Sequence, residues 1–143
     1  MRIQRIAGLV NYIQNQNDTY INERLKDLGV THGEARVIKI LHEQEMTQDQ
    51  LTKAMAIHKS AVTRILKTME ERHMIVRMSD ESNRRMKCVT LTDYGESLYQ
   101  TVDATFEDGN NVLTQHLNEQ DKKELERLLR VVCNNMEVWR NER

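Results

Sequence analysis

The sequence predicts a mainly α fold with one small β-hairpin, and three observations carry that prediction. Proline is absent and only five glycines occur in 143 residues, which favours helices over a turn-rich β architecture. Apolar residues recur at steps of three and four through most of the chain. Between residues 74 and 92 the pattern changes to two strand-like runs, "MIVRMS" and "MKCVTLT", separated by a polar tip.

Taken in order, Ile3, Ile6, Val10, Ile13, Ile21, Leu25 and Leu28 form one stripe along a long first helix, and Gly29 is its stop signal. Thr31 with Glu34 makes a capping box ahead of Ala35, Val37, Ile38 and Leu41. Thr47 with Gln50 repeats the box and opens a short helix that buries Leu51 and Met55 and ends near Ala56. After the break "AIH", Val62, Ile65, Leu66 and Met69 define the inner face of a helix from about Lys59 to Arg72.

The hairpin follows, and Thr92 can cap the next helix. From Tyr94 to Leu117 a stripe of Leu98, Val102, Thr105 or Phe106, Gly109, Leu113 and Leu117 persists, with "DGNN" at 108–111 expected as a soft spot or kink. Asn118 and Asp121 begin a final helix lined by Leu125, Leu128, Leu129, Val132, Met136 and Trp139. The two ends of the chain thus supply amphipathic helices that need cover, and a homodimer built on them is expected.

Composition narrows the classes. The length suits one domain, and six aromatic residues cannot furnish several cores. No segment has the ~18 uninterrupted apolar residues of a membrane span, so a soluble, cytoplasmic protein is expected. Cys88 and Cys133 have neither metal-type spacing nor the density of a disulfide framework. No nucleophile grouping or glycine-rich phosphate loop occurs, so no catalytic residue is assigned and an enzyme is not expected. His32, His42, His58, His73 and His116 are scattered without a His-x-x-x-His pair, and no metal or cofactor is assigned.

The net charge of −1 hides an uneven distribution. Residues 47–92 carry nine Lys/Arg against five Asp/Glu, whereas residues 93–143 carry six against eleven. From Lys53 through Lys59 and Arg64 to Lys67 no carboxylate intervenes, the kind of local asymmetry that a phosphate backbone attracts. A short helix, a tight break, a second helix with a polar outer face and a hairpin together describe a winged helix-turn-helix. In that arrangement the second helix enters the major groove of double-stranded DNA. Lys59, Ser60, Thr63, Arg64 and Lys67 form the expected groove-facing set: Arg64 for a bidentate contact to guanine, Ser60 and Thr63 for bases or phosphates, and Lys59 and Lys67 for phosphates.

The block "MTQDQLTKAMAIHKSAVTRILKTMEERHMIVR" and the run "DESNRRMKCVTLTDYG", with its Leu-Thr-x-x-Gly helix start, resemble the MarR family of bacterial winged-helix regulators. The resemblance covers nearly the whole chain. It implies a single domain over 1–143, with a DNA-binding unit at 30–92 and dimerisation helices at 1–29 and 93–143. It also implies a pseudo-palindromic operator and, usually, repression relieved by a small molecule, an oxidant or a metal. The family's wing commonly carries Asp-x-Arg; carried over, Arg85 becomes the minor-groove probe, Asn83 stands at the supporting aspartate position, and Arg84 can take a neighbouring phosphate. Asn83 can accept a hydrogen bond but cannot form the ion pair. His58 stands where the family often has a helix-capping residue. By position, Tyr12, Ile13, Tyr20 and Val37 neighbour the family's effector pocket or are plain core. Alternatives of the same fold are a thiol-redox or metal-responsive regulator, or a winged helix used for protein contacts.

Overall fold

A computed structural model describes residues 5–80 and 83–143, without the side chains of residues 79–86. The chain divides into two compact units, Met1–Gly109 and Asn110–Arg143.

In the first unit, α1 runs Ile6–Arg24 and is followed by a 3-10 turn, Lys26–Leu28, that ends on Gly29 at φ 67°. Only glycine adopts this left-handed geometry without penalty. The stripe of α1 divides in two. Ile21 and Leu25 are buried and Leu28 packs on the core, whereas Ile6, Val10 and Ile13 are exposed. Ile3 lies outside the described residues. Helix α2, His32–Glu43, starts with the expected Thr31–Glu34 capping box and buries Ala35, Val37, Ile38 and Leu41.

Strand β1 is Met46–Thr47, α3 is Gln48–Met55 and α4 is Lys59–Glu71. The Thr47–Gln50 capping box is present, and the turn between α3 and α4 passes through Ala56 at φ 55°. Leu51 and Met55 of α3 meet Val62, Leu66 and Met69 of α4 in one core with the inner face of α2. The hairpin is β2, Ile75–Asp80, against β3, Asn83–Leu91, antiparallel with Ile75 opposite Leu91. The sequence reading gives a two-stranded hairpin, but the sheet has three strands in the order β1-β3-β2. Met46 pairs with Val89 and Thr47 with Cys88. Two residues are too short to generate an alternating pattern, so β1 leaves no periodic trace in the sequence.

Thr92 caps α5, Asp93–Ser97, and α6 follows as Tyr99–Leu113. The expected single helix from Tyr94 is therefore two, broken at Leu98, and "DGNN" lies within the continuous α6. Gly109 is there for proximity: a Cβ on it would meet Tyr20 and Ile21 of α1 at 3.4 Å. Cations from α1 and α2 hold the acidic face of α6, through Arg24–Asp108 at 2.8 Å and Lys39–Asp103 at 2.7 Å. His42 also stacks on Tyr99, with ring centroids 3.5 Å apart.

Met74 is reached through His73, which sits at φ 61° and is exposed. A non-glycine residue there bears a cost that glycine avoids, so His73→Gly is expected to stabilise the fold by about 1 kcal/mol net of its extra unfolded-state entropy. A rise in the urea midpoint at unchanged m-value is the corresponding measurement.

The second unit contains α7, Glu119–Asn141, begun by an Asn118–Asp121 capping box. None of its residues is buried, and Leu125, Leu128, Leu129, Val132, Met136 and Trp139 lie exposed. Its polar side carries Glu124–Arg127 and Glu126–Arg130 pairs, and the Arg127 hydrogen bonds hold the Glu124 carboxyl below its usual range. Among the described residues no helix is long and apolar enough to cross a membrane.

Candidate nucleic-acid interface

Helix α4 is the centre of the site. It combines a fully buried inner face, Val62, Leu66 and Met69, with an outer face on which Lys59, Ser60, Thr63, Arg64 and Lys67 are all exposed. The structure therefore brings these five predicted residues together on one surface. His58 occupies the N-cap position with extended backbone, but its side chain makes no capping hydrogen bond. The first amides of α4 are accordingly left without a side-chain partner of the kind that Thr31, Thr47, Thr92 and Asn118 provide elsewhere.

The outer face is not free of carboxylates, as its sequence had suggested. Asp49 of α3 lies 3.8 Å from Lys59 Nζ. The packing of α3 against α4 creates this neighbour, which inspection of α4 alone misses. With side-chain exposures of 81% and 72%, the pair is weak and Lys59 can leave it readily. Toward the end of α4, Glu70 lies 3.5 Å from Arg77 Nε of β2, and Glu71 is exposed beside it.

Two residues not singled out in the sequence connect α3, α4 and the hairpin. Gln48, the first residue of α3, donates from Nε2 to Thr63 Oγ1 at 2.9 Å. Its Oε1 accepts from Arg77 Nη1 at 3.1 Å. Partners 15 and 29 positions away leave no local signal, and in sequence Gln48 is simply the residue after a cap. At the other end of α4, Arg72 donates to the Gly29 carbonyl and lies 3.6 Å from Glu34. Helix α4 is thus tied at both ends to its neighbours.

For the wing, the backbone of Asn83, Arg84 and Arg85 begins β3, with Asn83 opposite Asp80 after a register shift. Their side chains, and with them the probe and support roles expected for Arg85, Asn83 and Arg84, lie outside the described residues. Of the four residues near the expected effector pocket, Val37 is fully buried core and Tyr20 packs against the core while its hydroxyl accepts from Arg24. Tyr12 and Ile13 are exposed. None of the four lines either of two surface clefts, one of about 400 Å³ beside Arg64, Thr68 and Arg72 and one of about 640 Å³ beside Asp18, Asn22 and His32.

Helix, turn, outward-facing helix and three-stranded wing define the chain as a winged helix-turn-helix protein. The MarR family model matches residues 30–87, which lie within this unit. Among characterised sequences it is similar to the HTH-type transcriptional regulator TcaR of Staphylococcus aureus, 21% identical over 141 residues, covering 97% of this chain and 93% of that protein. It is also similar to the uncharacterized HTH-type transcriptional regulator YybA of Bacillus subtilis, 23% identical over 129 residues, covering 90% of this chain and 86% of that protein. These relatives are named as regulators rather than enzymes. Among solved structures it shares its fold with a MarR-family regulator from Listeria monocytogenes complexed with a 26mer DNA, at a TM-score of 0.87, 22% identity and coverage of 94% and 90%. It likewise matches the S. aureus MepR–DNA complex, at a TM-score of 0.87, 19% identity and coverage of 93% and 99%. The chain thus shares the fold of these solved structures.

Proposed function

We propose that the chain is a sequence-specific DNA-binding regulator acting as a homodimer on a pseudo-palindromic operator, as a repressor released by a small-molecule effector. The observation that carries this reading is α4 itself: a helix anchored by Val62, Leu66 and Met69, presenting Lys59, Ser60, Thr63, Arg64 and Lys67 outward. In the major groove Arg64 reads guanine, Thr63 and Ser60 supply polar contacts, and Lys59 and Lys67 neutralise phosphates. Arg85 enters the flanking minor groove and Arg84 takes a phosphate, with Asn83 in support. In this assignment one domain spans the chain, residues 30–92 bind DNA and residues 1–29 and 93–143 mediate dimerisation.

The dimer is supported by apolar surface that the single chain leaves uncovered, including Ile6, Leu9, Val10 and Ile13 on α1 and the Leu128–Val132–Met136 stripe on α7. Two recognition helices must then sit about 34–36 Å apart to meet successive major grooves, and an effector acts by changing that separation.

The test is titration of the purified protein against duplexes selected from genomic DNA, at several salt concentrations. With six or more phosphate contacts per dimer, affinity is expected to fall by roughly 10³-fold or more between 50 and 200 mM salt. Salt-independent binding, or none, would point instead to a winged helix used for protein contacts.

A further inference from the structure

We infer that Gln48 is a positioning residue that leaves Thr63 able only to accept a hydrogen bond from DNA, so that Thr63 selects a base pair through an exocyclic amine. This rests on the DNA-binding reading of α4 and refines it. The side-chain amide of Gln48 has an unambiguous orientation: Arg77 has only donors to offer, so the Gln48 oxygen must face Arg77 Nη1 at 3.1 Å and its NH₂ must face Thr63. Arg77 has its side chain only 21% exposed and its Nε at ion-pair distance, 3.5 Å, from Glu70 Oε2 but without a hydrogen bond, so its bond to Gln48 is a specific anchor.

The valences of the Thr63 hydroxyl can then be counted. Its hydrogen is donated to the Lys59 carbonyl at 2.9 Å, and one lone pair accepts from Gln48 at 2.9 Å. One lone pair remains on an exposed side chain. Turning the hydrogen outward would set an oxygen lone pair against the Lys59 carbonyl oxygen, which is repulsive, and Gln48 already fills the remaining direction. Thr63 thus meets the groove as an acceptor. That is wrong for a phosphate oxygen, for guanine N7 and O6 and for thymine O4, and right for adenine N6 or cytosine N4. The expectation from sequence that Thr63 bonds to either bases or phosphates narrows to two bases, and the narrowing comes from the Lys59 carbonyl of α4 together with Gln48 of α3, which holds the hydroxyl in that rotamer.

The experiment uses the intact dimer and a duplex it has selected. Comparing parent and Thr63→Val on duplexes varied at each position locates the base that faces Thr63. That base is then replaced by an analogue without the amine, purine for adenine or 2-pyrimidinone for cytosine. The parent and Thr63→Ser are expected to bind the amine-less duplex about three- to tenfold more weakly, as for loss of one neutral hydrogen bond, while Thr63→Val binds both alike. Gln48→Ala, with Thr63 intact and its urea midpoint checked against the parent, removes the donor that holds the hydroxyl in the rotamer bonded to Lys59, frees Thr63 to turn and to donate, and is expected to reduce the preference to within about twofold. A Gln48 that merely supports the fold would weaken binding to all duplexes equally and leave the amine preference intact, which overturns the inference. So does a parent indifferent to the amine at every position. Absence of any duplex binding removes the DNA reading as well, whereas tight, amine-blind binding removes only this refinement.

Discussion

Gly95→Ala is expected to destabilise the chain by about 3 kcal/mol, at the upper end of the usual cost of overpacking. Gly95 is buried in α5, and a Cβ on it would overlap the Met74 carbonyl oxygen and lie 3.1 Å from Leu91 Cδ2. That carbonyl cannot easily retreat, because it accepts the Thr92 N–H at 3.0 Å and Met74 is itself fully buried. Either the bond between the hairpin and the helix cap breaks or α5 lifts from the base of the wing. The measurement is the urea midpoint followed by circular dichroism, with Gly33→Ala as the comparison. A Cβ on Gly33 meets only the end of the Ile65 side chain at 3.0 Å, which can rotate, so that variant should stay within about 1 kcal/mol of the parent. Equal midpoints for the two variants would show that the wing base yields more easily than its packing implies.

Arg64→Ala is expected to leave stability within about 0.5 kcal/mol of the parent, because the side chain is exposed and the helix is anchored through its opposite face. Operator binding should weaken by about 1–3 kcal/mol, with preference lost at one base position per half-site rather than across the site. Binding titrations combined with sequence selection on the variant separate the two effects. A uniform loss with the sequence preference intact would reassign Arg64 to phosphate contact.

Much of the architecture was legible because the signals were local. Three capping boxes and the Thr92 cap involve residues three apart, and the inner face of α4 is a helical repeat that needs no knowledge of its neighbours. The misreadings share the opposite property. Strand β1 exists only through its pairing with Val89 and Cys88, and the place of Gly109 is explained only by Tyr20 and Ile21 of another helix. In the candidate site, the types and the common face of the five α4 residues could be read from the sequence. Asp49 beside Lys59, and the links from Gln48 to Thr63 and Arg77, could not, since each depends on how α3 and the hairpin pack around α4.

Thr47 is both the last residue of β1 and the cap of α3, pairing with Cys88 across the sheet while accepting from the Gln50 amide. The hairpin and the helix-turn-helix therefore share a hinge pin that cannot turn for one without turning for the other. On the proposed operator, this gives each subunit a span of fixed width, like a caliper locked at one setting. Tolerance for operators of different length then has to come from the joint between the two subunits.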